Sequence, residues 1–152
     1  MKVKFSAVAS VVVRLQHGEE VLEIRLEAPP FGLGQALSRL FPAPQPPTYY
    51  VNSVSTPIPK GHPDPGLSAR YAAWEAEAAE HSALMTDILI AMAMGDTMDI
   101  PAPPMAAGTD WRAYGLAVRA EWDAAHLHLG DRMTLIRAYN EVQGLGGERG
   151  KD

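Results

Sequence analysis

The distribution of proline most strongly constrains how this chain can fold. Thirteen prolines occur in 152 residues, and they fall into two groups, at residues 29–65 and 101–104. Proline interrupts helix interiors and central strands. We therefore expect the proline-rich stretches to connect three blocks of regular structure, which are the proline-free residues 1–28, 66–100 and 105–152.

The first block has the alternation of a β-hairpin. Odd-numbered residues from Val3 to Leu15 are apolar, and so are even-numbered residues from Leu22 to Ala28. A period of two indicates strands with one buried face. Gly18 lies between them and can take the positive φ of a tight turn. A lone two-stranded hairpin is marginally stable, so this one requires a helix or another strand against its apolar face.

The connector at residues 29–66 contains three shorter patterns. Residues 34–40 predict a short helix, because leucines recur on one side. Residues 42–47 include four prolines and predict an extended, polyproline-like segment. Residues 48–54 are rich in strand-forming side chains and predict a third strand beside the hairpin.

The second block carries the clearest helix, expected at residues 67–94, with Asp64 or Ser68 as N-cap and Gly95 as C-cap. Seven side chains recur at alternating spacings of three and four, which is a heptad repeat. They form what we call the stripe: Tyr71, Trp74, Ala78, His81, Met85, Ile88 and Met92.

The stripe has two interpretations. It is either ordinary core or a surface that binds a partner helix or a second copy, and methionine-rich surfaces are adaptable enough for the latter. The candidate partner-binding residues are Tyr71, Trp74, His81, Met85, Ile88 and Met92. The acidic residues fall off the stripe and predict a solvated face, with a surface for a basic partner helix as the alternative. Residues 67–100 carry one arginine and six acidic residues. The charge of this segment, −5, equals the formal net charge of the whole chain.

The third block predicts two helices capped by Asp110 and Asp131 and joined by a short link. The fold class expected is therefore α+β: a small N-terminal antiparallel sheet, a proline-rich connector, and a C-terminal bundle of about three helices. The corresponding divisions are 1–28, 29–66 and 67–143, followed by a glycine-rich tail at 144–152 that predicts a flexible end.

Composition excludes several function classes. The absence of cysteine excludes a disulfide framework, a zinc ribbon and thiol catalysis. A net charge of −5 is not typical of a nucleic-acid-binding protein, and no apolar run approaches the roughly 20 residues of a membrane span. His126 and His128 form an HxH pair near two aspartates, but a solvated helix end explains them better than a metal site. No catalytic, metal or cofactor site is predicted.

Five segments resemble tail assembly chaperones of long-tailed, siphovirus-like bacteriophages. They are residues 46–50 (PPTYY), 62–67 (HPDPGL), 71–77 (YAAWEAE), 111–114 (WRAY) and 137–140 (RAYN), and the resemblance spans roughly residues 46–142. It implies a non-enzymatic protein of the host cytoplasm that binds the tape measure protein while the tail tube polymerises. In that group a longer, frameshifted form is often made.

Two other function classes stay open. The hairpin fits a structural component of the virion, such as a tail, baseplate or head–tail connector protein that docks on neighbouring subunits. An enzyme is the least favoured class, because no nucleophile, base and oxyanion donor can be assembled from the sequence. In every case the expected partner is a protein, a homo-oligomer remains open, and neither nucleic acid nor membrane is expected.

Overall fold

A computed structural model describes the backbone of residues 9–149 and the side chains of residues 9–144. The fold is α+β, as the sequence predicted. In chain order the elements are β1 (Ser10–His17), β2 (Glu20–Glu27), α1 (Leu33–Leu40), β3 (Thr48–Val51), β4 (Val54–Pro57), α2 (Pro65–Met94), a 3₁₀ turn (Gly95–Thr97), α3 (Trp111–Ala124) and α4 (Leu129–Arg149).

Strands β1 and β2 form the predicted antiparallel hairpin. Val13 pairs with Ile24 and Leu15 with Leu22, and Gly18 in the turn has a φ of 64°. Val13, Leu15 and Ile24 are buried on one face, whereas Val12 on the other face is 54% exposed. The buried face packs on α4 and α2, which supplies the cover that a two-stranded sheet needs. The part of the first strand predicted at residues 1–8 lies outside the described residues.

The third strand exists, but its predicted position beside the hairpin is wrong. Thr48–Val51 pairs with Val54–Pro57 as β3 and β4 in a separate two-stranded sheet. Asn52 and Ser53 both have positive φ, which makes a two-residue turn of the kind that suits hairpins. The strand-forming run therefore folds back on the following residues rather than joining β1 and β2.

Helix α2 begins two residues before the predicted start and ends at the predicted residue. Asp64 is its N-cap and accepts hydrogen bonds from the amides of Gly66 and Leu67 at 2.8 and 3.2 Å. Pro65 occupies the first turn, where a missing N–H costs nothing. Gly95 caps the C-terminal end with a φ of 54°.

The core lies where the C-terminal half of α2 meets α3, α4 and the hairpin. Trp111, Tyr114, Val118 and Trp122 are buried along α3, and Leu135, Tyr139 and Val142 are buried along α4. Leu37 anchors α1 in the same core.

Two predictions about the ends of the C-terminal helices differ from the structure. Asp110 caps α3 by accepting from the Ala113 amide, as expected. Asp131, however, lies inside the first turn of α4, because that helix already begins at Leu129. Helix α4 also continues to Arg149 through residues predicted to be flexible. Extending a packed helix adds one hydrogen bond per residue, which offsets the poor helix propensity of glycine. Residues 150–152 of the predicted tail lie outside the described residues.

Candidate protein-binding surfaces

The structure divides the stripe into two parts. Ile88 is fully buried in the core, and Met85 and Met92 are partly buried against it. Tyr71, Trp74, Ala78 and His81 are half-buried on the N-terminal half of α2, where no residue from 65 to 83 is buried. The six candidate partner-binding residues therefore share one helix face but not one environment.

The proline-rich connector covers the exposed end of the stripe. We call residues 41–48 the strap. The Trp74 indole Nε1 donates to the Pro44 carbonyl at 3.1 Å, and His81 Nε2 lies 2.9 Å from the Phe41 carbonyl. Because a carbonyl only accepts, His81 carries a proton on Nε2. Arg70 Nη2 donates to the Thr48 carbonyl at 3.0 Å.

Aromatic contacts accompany these hydrogen bonds. The rings of Phe41 and His81 lie 4.3 Å apart between centroids, and the Tyr71 and Trp74 rings lie 5.4 Å apart. Upstream of the strap Leu37 is fully buried, and downstream Ile58 is 4% exposed. The strap is thus tied to the fold at both ends, while its own residues are half-buried or exposed.

A buried ionic cluster connects the three long helices. Asp87 on α2 is 4% exposed, and its Oδ2 accepts from Arg119 Nε at 2.7 Å and from Arg132 Nη2 at 2.6 Å. Arg119 also donates to Glu80. Partial burial alone would lower the pKa of Arg119, but the hydrogen bonds and charges of Asp87 and Glu80 outweigh it and raise that pKa. The cluster thus keeps the Arg119 guanidinium charged, and Asp87 pairs with both Arg119 and Arg132.

The prediction of a solvated acidic face is wrong for Asp87. The sequence did hold a signal for it, since Leu84, Asp87, Ala91 and Met94 recur at spacings of three and four. All four side chains are buried. They form a second apolar row on α2, and Asp87 is the one charged position within it. The exposed acids Glu75 and Glu77 do match the prediction.

Two adjoining clefts lie at the C-terminal end of α2, on either side of Met98. One has a volume of about 320 Å³ and is lined by Ala91, Met92, Ile100 and Tyr114. The other has a volume of about 340 Å³ and is lined by Leu22, Met94, Trp122 and Leu127. We call them the methionine clefts. The Trp122 indole fixes their shared wall, because its Nε1 lies 3.3 Å from the Met98 sulfur.

Acidic residues contribute to the lining of the methionine clefts. Asp99 lines both clefts, and the Glu121 carboxylate accepts from the Asp99 amide at 2.6 Å. Burial, and secondarily the negative charge of Glu121, raise the pKa of Tyr114. Its hydroxyl therefore stays neutral at ordinary pH. The clefts combine an apolar, methionine-rich lining with a neutral phenol and three carboxylates, those of Asp96, Asp99 and Glu121.

The histidines do not assemble a metal site among the residues that the structure describes. His126 is exposed with a φ of 60° in the link between α3 and α4. His17 Nε2 lies 2.8 Å from Asp131 Oδ2, which also accepts from the His128 amide at 3.0 Å. No pattern in the sequence predicts this contact, because His17 and Asp131 are 114 residues apart.

Asp131 has a perturbed ionisation. Burial of the carboxyl group acts to raise its pKa, but the hydrogen bonds from the His128 amide and from His17, together with the charges of His17 and His128, lower it overall. The carboxylate thus holds the first turn of α4 against the hairpin turn as a charged group.

Comparisons with known proteins give no relative for this chain. No protein-family model matches it, and no curated protein or solved structure does either. Within the described residues, every helix is either too short or too polar to cross a bilayer.

Proposed function

We propose that this protein is a non-enzymatic assembly chaperone of a long-tailed bacteriophage, which binds the tape measure protein in the host cytoplasm during tail morphogenesis. The resemblance of residues 46–142 to such chaperones supplies the specific role. The pair of methionine clefts is the observation that supports protein binding. Methionine side chains adapt to varied apolar partners, and such surfaces recur where one protein binds amphipathic helices.

The clefts also fit a partner with apolar side chains flanked by basic ones. Met92, Met94 and Met98 supply deformable apolar walls, and the exposed carboxylates of Asp96 and Asp99 supply negative charge. Complementary charge at the rim of an interface favours the correct partner over others. The ligand that fits the clefts is a helical segment of the tape measure protein. Such a segment would present a row of leucine or methionine side chains next to lysine or arginine.

Co-expression with the tape measure protein of the same phage tests the proposal. We expect the wild-type chain to keep the tape measure protein soluble. The double variant Met92→Gln, Ile100→Gln replaces two half-buried cleft residues and should lower the soluble yield several-fold. Met133→Gln is the matched control, because Met133 is 44% exposed on α4 and lines neither cleft. Equal yields with the cleft variant and the control would remove the clefts from the proposal.

A structural role in the virion is the second candidate, and the β3–β4 hairpin favours it. Tyr50 is 78% exposed and Val54 is 63% exposed on this small sheet. Its strand edges and apolar side chains are the type of surface that docks on a neighbouring subunit by strand addition. Mass spectrometry of purified virions separates the candidates, since a chaperone is absent from mature particles. Stoichiometric amounts of this chain there would contradict the chaperone role.

A further inference from the structure

Burial along the strap follows a period of three. Phe41, Pro44 and Pro47 are half-buried, and the residues between them are exposed: Pro42, Ala43, Gln45 and Pro46. A polyproline II helix has three residues per turn, so residues i, i+3 and i+6 lie along one edge. The strap therefore presents a single edge to α2.

The spacing of that edge matches the spacing of the donors on α2. From residue 41 to residue 44 an extended chain spans about 10 Å, at about 3.3–3.6 Å per residue. Phe41, the C-cap of α1, has φ −131° and ψ 73° and so precedes the polyproline-like part of the strap. From residue 74 to residue 81 an α-helix rises about 10.5 Å, at 1.5 Å per residue. Trp74 and His81 consequently meet the carbonyls of Pro44 and Phe41 in antiparallel order. We call Tyr71, Trp74, Ala78 and His81 the groove.

The donors of the groove select an extended chain. Trp74 Nε1 and His81 Nε2 both bind main-chain carbonyls of the strap. The carbonyls of an α-helix are already bonded within the helix, whereas those of a polyproline II segment are free. Recognition of proline-rich segments by aromatic-lined surfaces uses this same combination of ring packing and backbone contacts. A helical partner therefore lacks the free main-chain carbonyls to which Trp74 and His81 donate.

We infer that the groove is a polyproline-binding site, that the strap is its ligand within the same chain, and that a proline-rich, extended segment of a partner protein can replace the strap. Replacement is feasible because every strap residue is half-buried or exposed, and the prolines of its inner edge, Pro44 and Pro47, are held only at the surface of α2; Phe41 also packs against the edge of the core. The matching segment carries apolar or proline residues at i, i+3 and i+6.

A separate partner fits better than a second copy of this chain. The strap of a second copy is held on its own helix by the buried residues Leu37 and Ile58 on either side. It would have to leave its own groove and still reach another one. A segment of a different protein has no such tether. The groove and the methionine clefts consist of different residues, so this inference does not rest on the proposed function.

The test uses the full chain in which the three inner-edge residues of the strap are substituted, in the triple variant Phe41→Ser, Pro44→Ser, Pro47→Ser. The probe is a synthetic peptide with the sequence of residues 40–48, LFPAPQPPT. We expect it to bind the triple variant at least about tenfold more tightly than the wild type, because the tethered strap competes at high effective concentration. Binding is measured by calorimetry and by the shift of the Trp74 indole N–H signal in ¹H–¹⁵N spectra.

Matched controls locate the binding site. Adding Trp74→Phe to the triple variant removes the indole donor but keeps a ring, and it should weaken peptide binding about tenfold. Adding Ala76→Ser, at an exposed position of α2 outside the groove, should leave the affinity unchanged. A peptide of the same composition, reordered so that the i, i+3, i+6 spacing is lost, should not shift the Trp74 signal.

Three outcomes would overturn the inference. The first is a folded triple variant that fails to bind the peptide. The second is a wild-type dimer that the peptide converts to a monomer in light scattering, because the occupant is then a second copy. The third is unfolding of both the triple variant and the milder Pro44→Gly variant, which would make the strap a part of the core rather than an exchangeable ligand.

Discussion

At Gly115 the backbone of α3 lies directly against α2. A Cβ atom added at this position would lie 2.7 Å from Cγ and Cδ1 of Leu84, and Leu84 is fully buried. Gly115→Ala should therefore destabilise the protein by about 1–3 kcal/mol through overpacking. Urea denaturation followed by circular dichroism measures the change in the free energy of unfolding.

Gly144→Ala is the control for that substitution. Gly144 lies in α4, and an added Cβ there would meet no atom within 4 Å. Alanine has the higher helix propensity, so this variant should be more stable by up to about 1 kcal/mol. Destabilisation by both substitutions to a similar extent would contradict the assigned close approach of α2 and α3.

Asp131 should make stability depend on pH in the acid range. Its pKa in the folded protein is below the ordinary value of 3.8. A carboxyl group with a lowered folded pKa contributes stability above its unfolded pKa, and that contribution disappears as pH falls through the folded pKa. We expect the wild type to lose this part of its free energy of unfolding below about pH 4.

The variant Asp131→Asn should lack this component of the pH dependence, since asparagine does not titrate. Its amide oxygen can still accept from the His128 amide, so the capping contact has a substitute. Asp123→Asn, at an exposed position of α3, is the control. Thermal melts between pH 3 and pH 6 compare the three proteins. An identical pH dependence in wild type and Asp131→Asn would exclude the assigned role.

At the scale of whole elements, the ionic cluster determines how α2, α3 and α4 are held together. Removing Asp87 leaves Arg119 and Arg132 partly buried without their shared anion. Breaking a buried ion pair by removing one partner typically costs about 3–5 kcal/mol. We expect Asp87→Ala to show a loss in this range in urea denaturation.

Glu80→Ala tests whether the burial of Asp87 is the cause of the expected loss of stability. Glu80 also binds Arg119, but its side chain is 45% exposed. An exposed ion pair contributes at most about 1 kcal/mol. If the two variants lost equal stability, the central role of Asp87 would be refuted.

The same elements show what could be predicted from the sequence. Periodicity, caps and proline positions predicted the β1–β2 hairpin, α2 and the start of α3, because each depends on residues close together in the chain. The partner of β3 was not predictable in that way. The turn at Asn52 and Ser53 contains no glycine, so the usual hairpin signal is absent.

The candidate surfaces were predictable in part. The sequence located the stripe and the extended strap as separate features. It could not show that one covers the other, because their pairing depends on how the chain turns back between residues 48 and 64. The contact of His17 with Asp131 is equally remote in sequence. Asp87 is a different case, because its spacing with Leu84 and Ala91 is visible in the sequence. An aspartate is nevertheless expected to be exposed to solvent, since aspartates are rarely buried.

Across the whole molecule, α2 belongs to two environments with different stability. Its C-terminal half carries seven buried residues from Leu84 to Met94, whereas residues 65–83 include none. Local opening needs less free energy where fewer side chains are buried. The N-terminal half, covered on one face by the strap, should therefore open independently of the core.

Native-state hydrogen exchange measures this difference directly. We expect the amides of residues 70–80 to exchange with a lower opening free energy than those of residues 85–93, since the latter open only with the core. The strap variant Pro44→Ser, Pro47→Ser, which keeps Phe41 against the core, should lower protection at residues 70–80 and leave residues 85–93 unchanged. Equal protection along all of α2, or an equal loss in both halves on removing the strap edge, would mean that strap and core unfold as one unit. Independent opening is the condition under which a segment of another protein can take the place of the strap without unfolding the molecule.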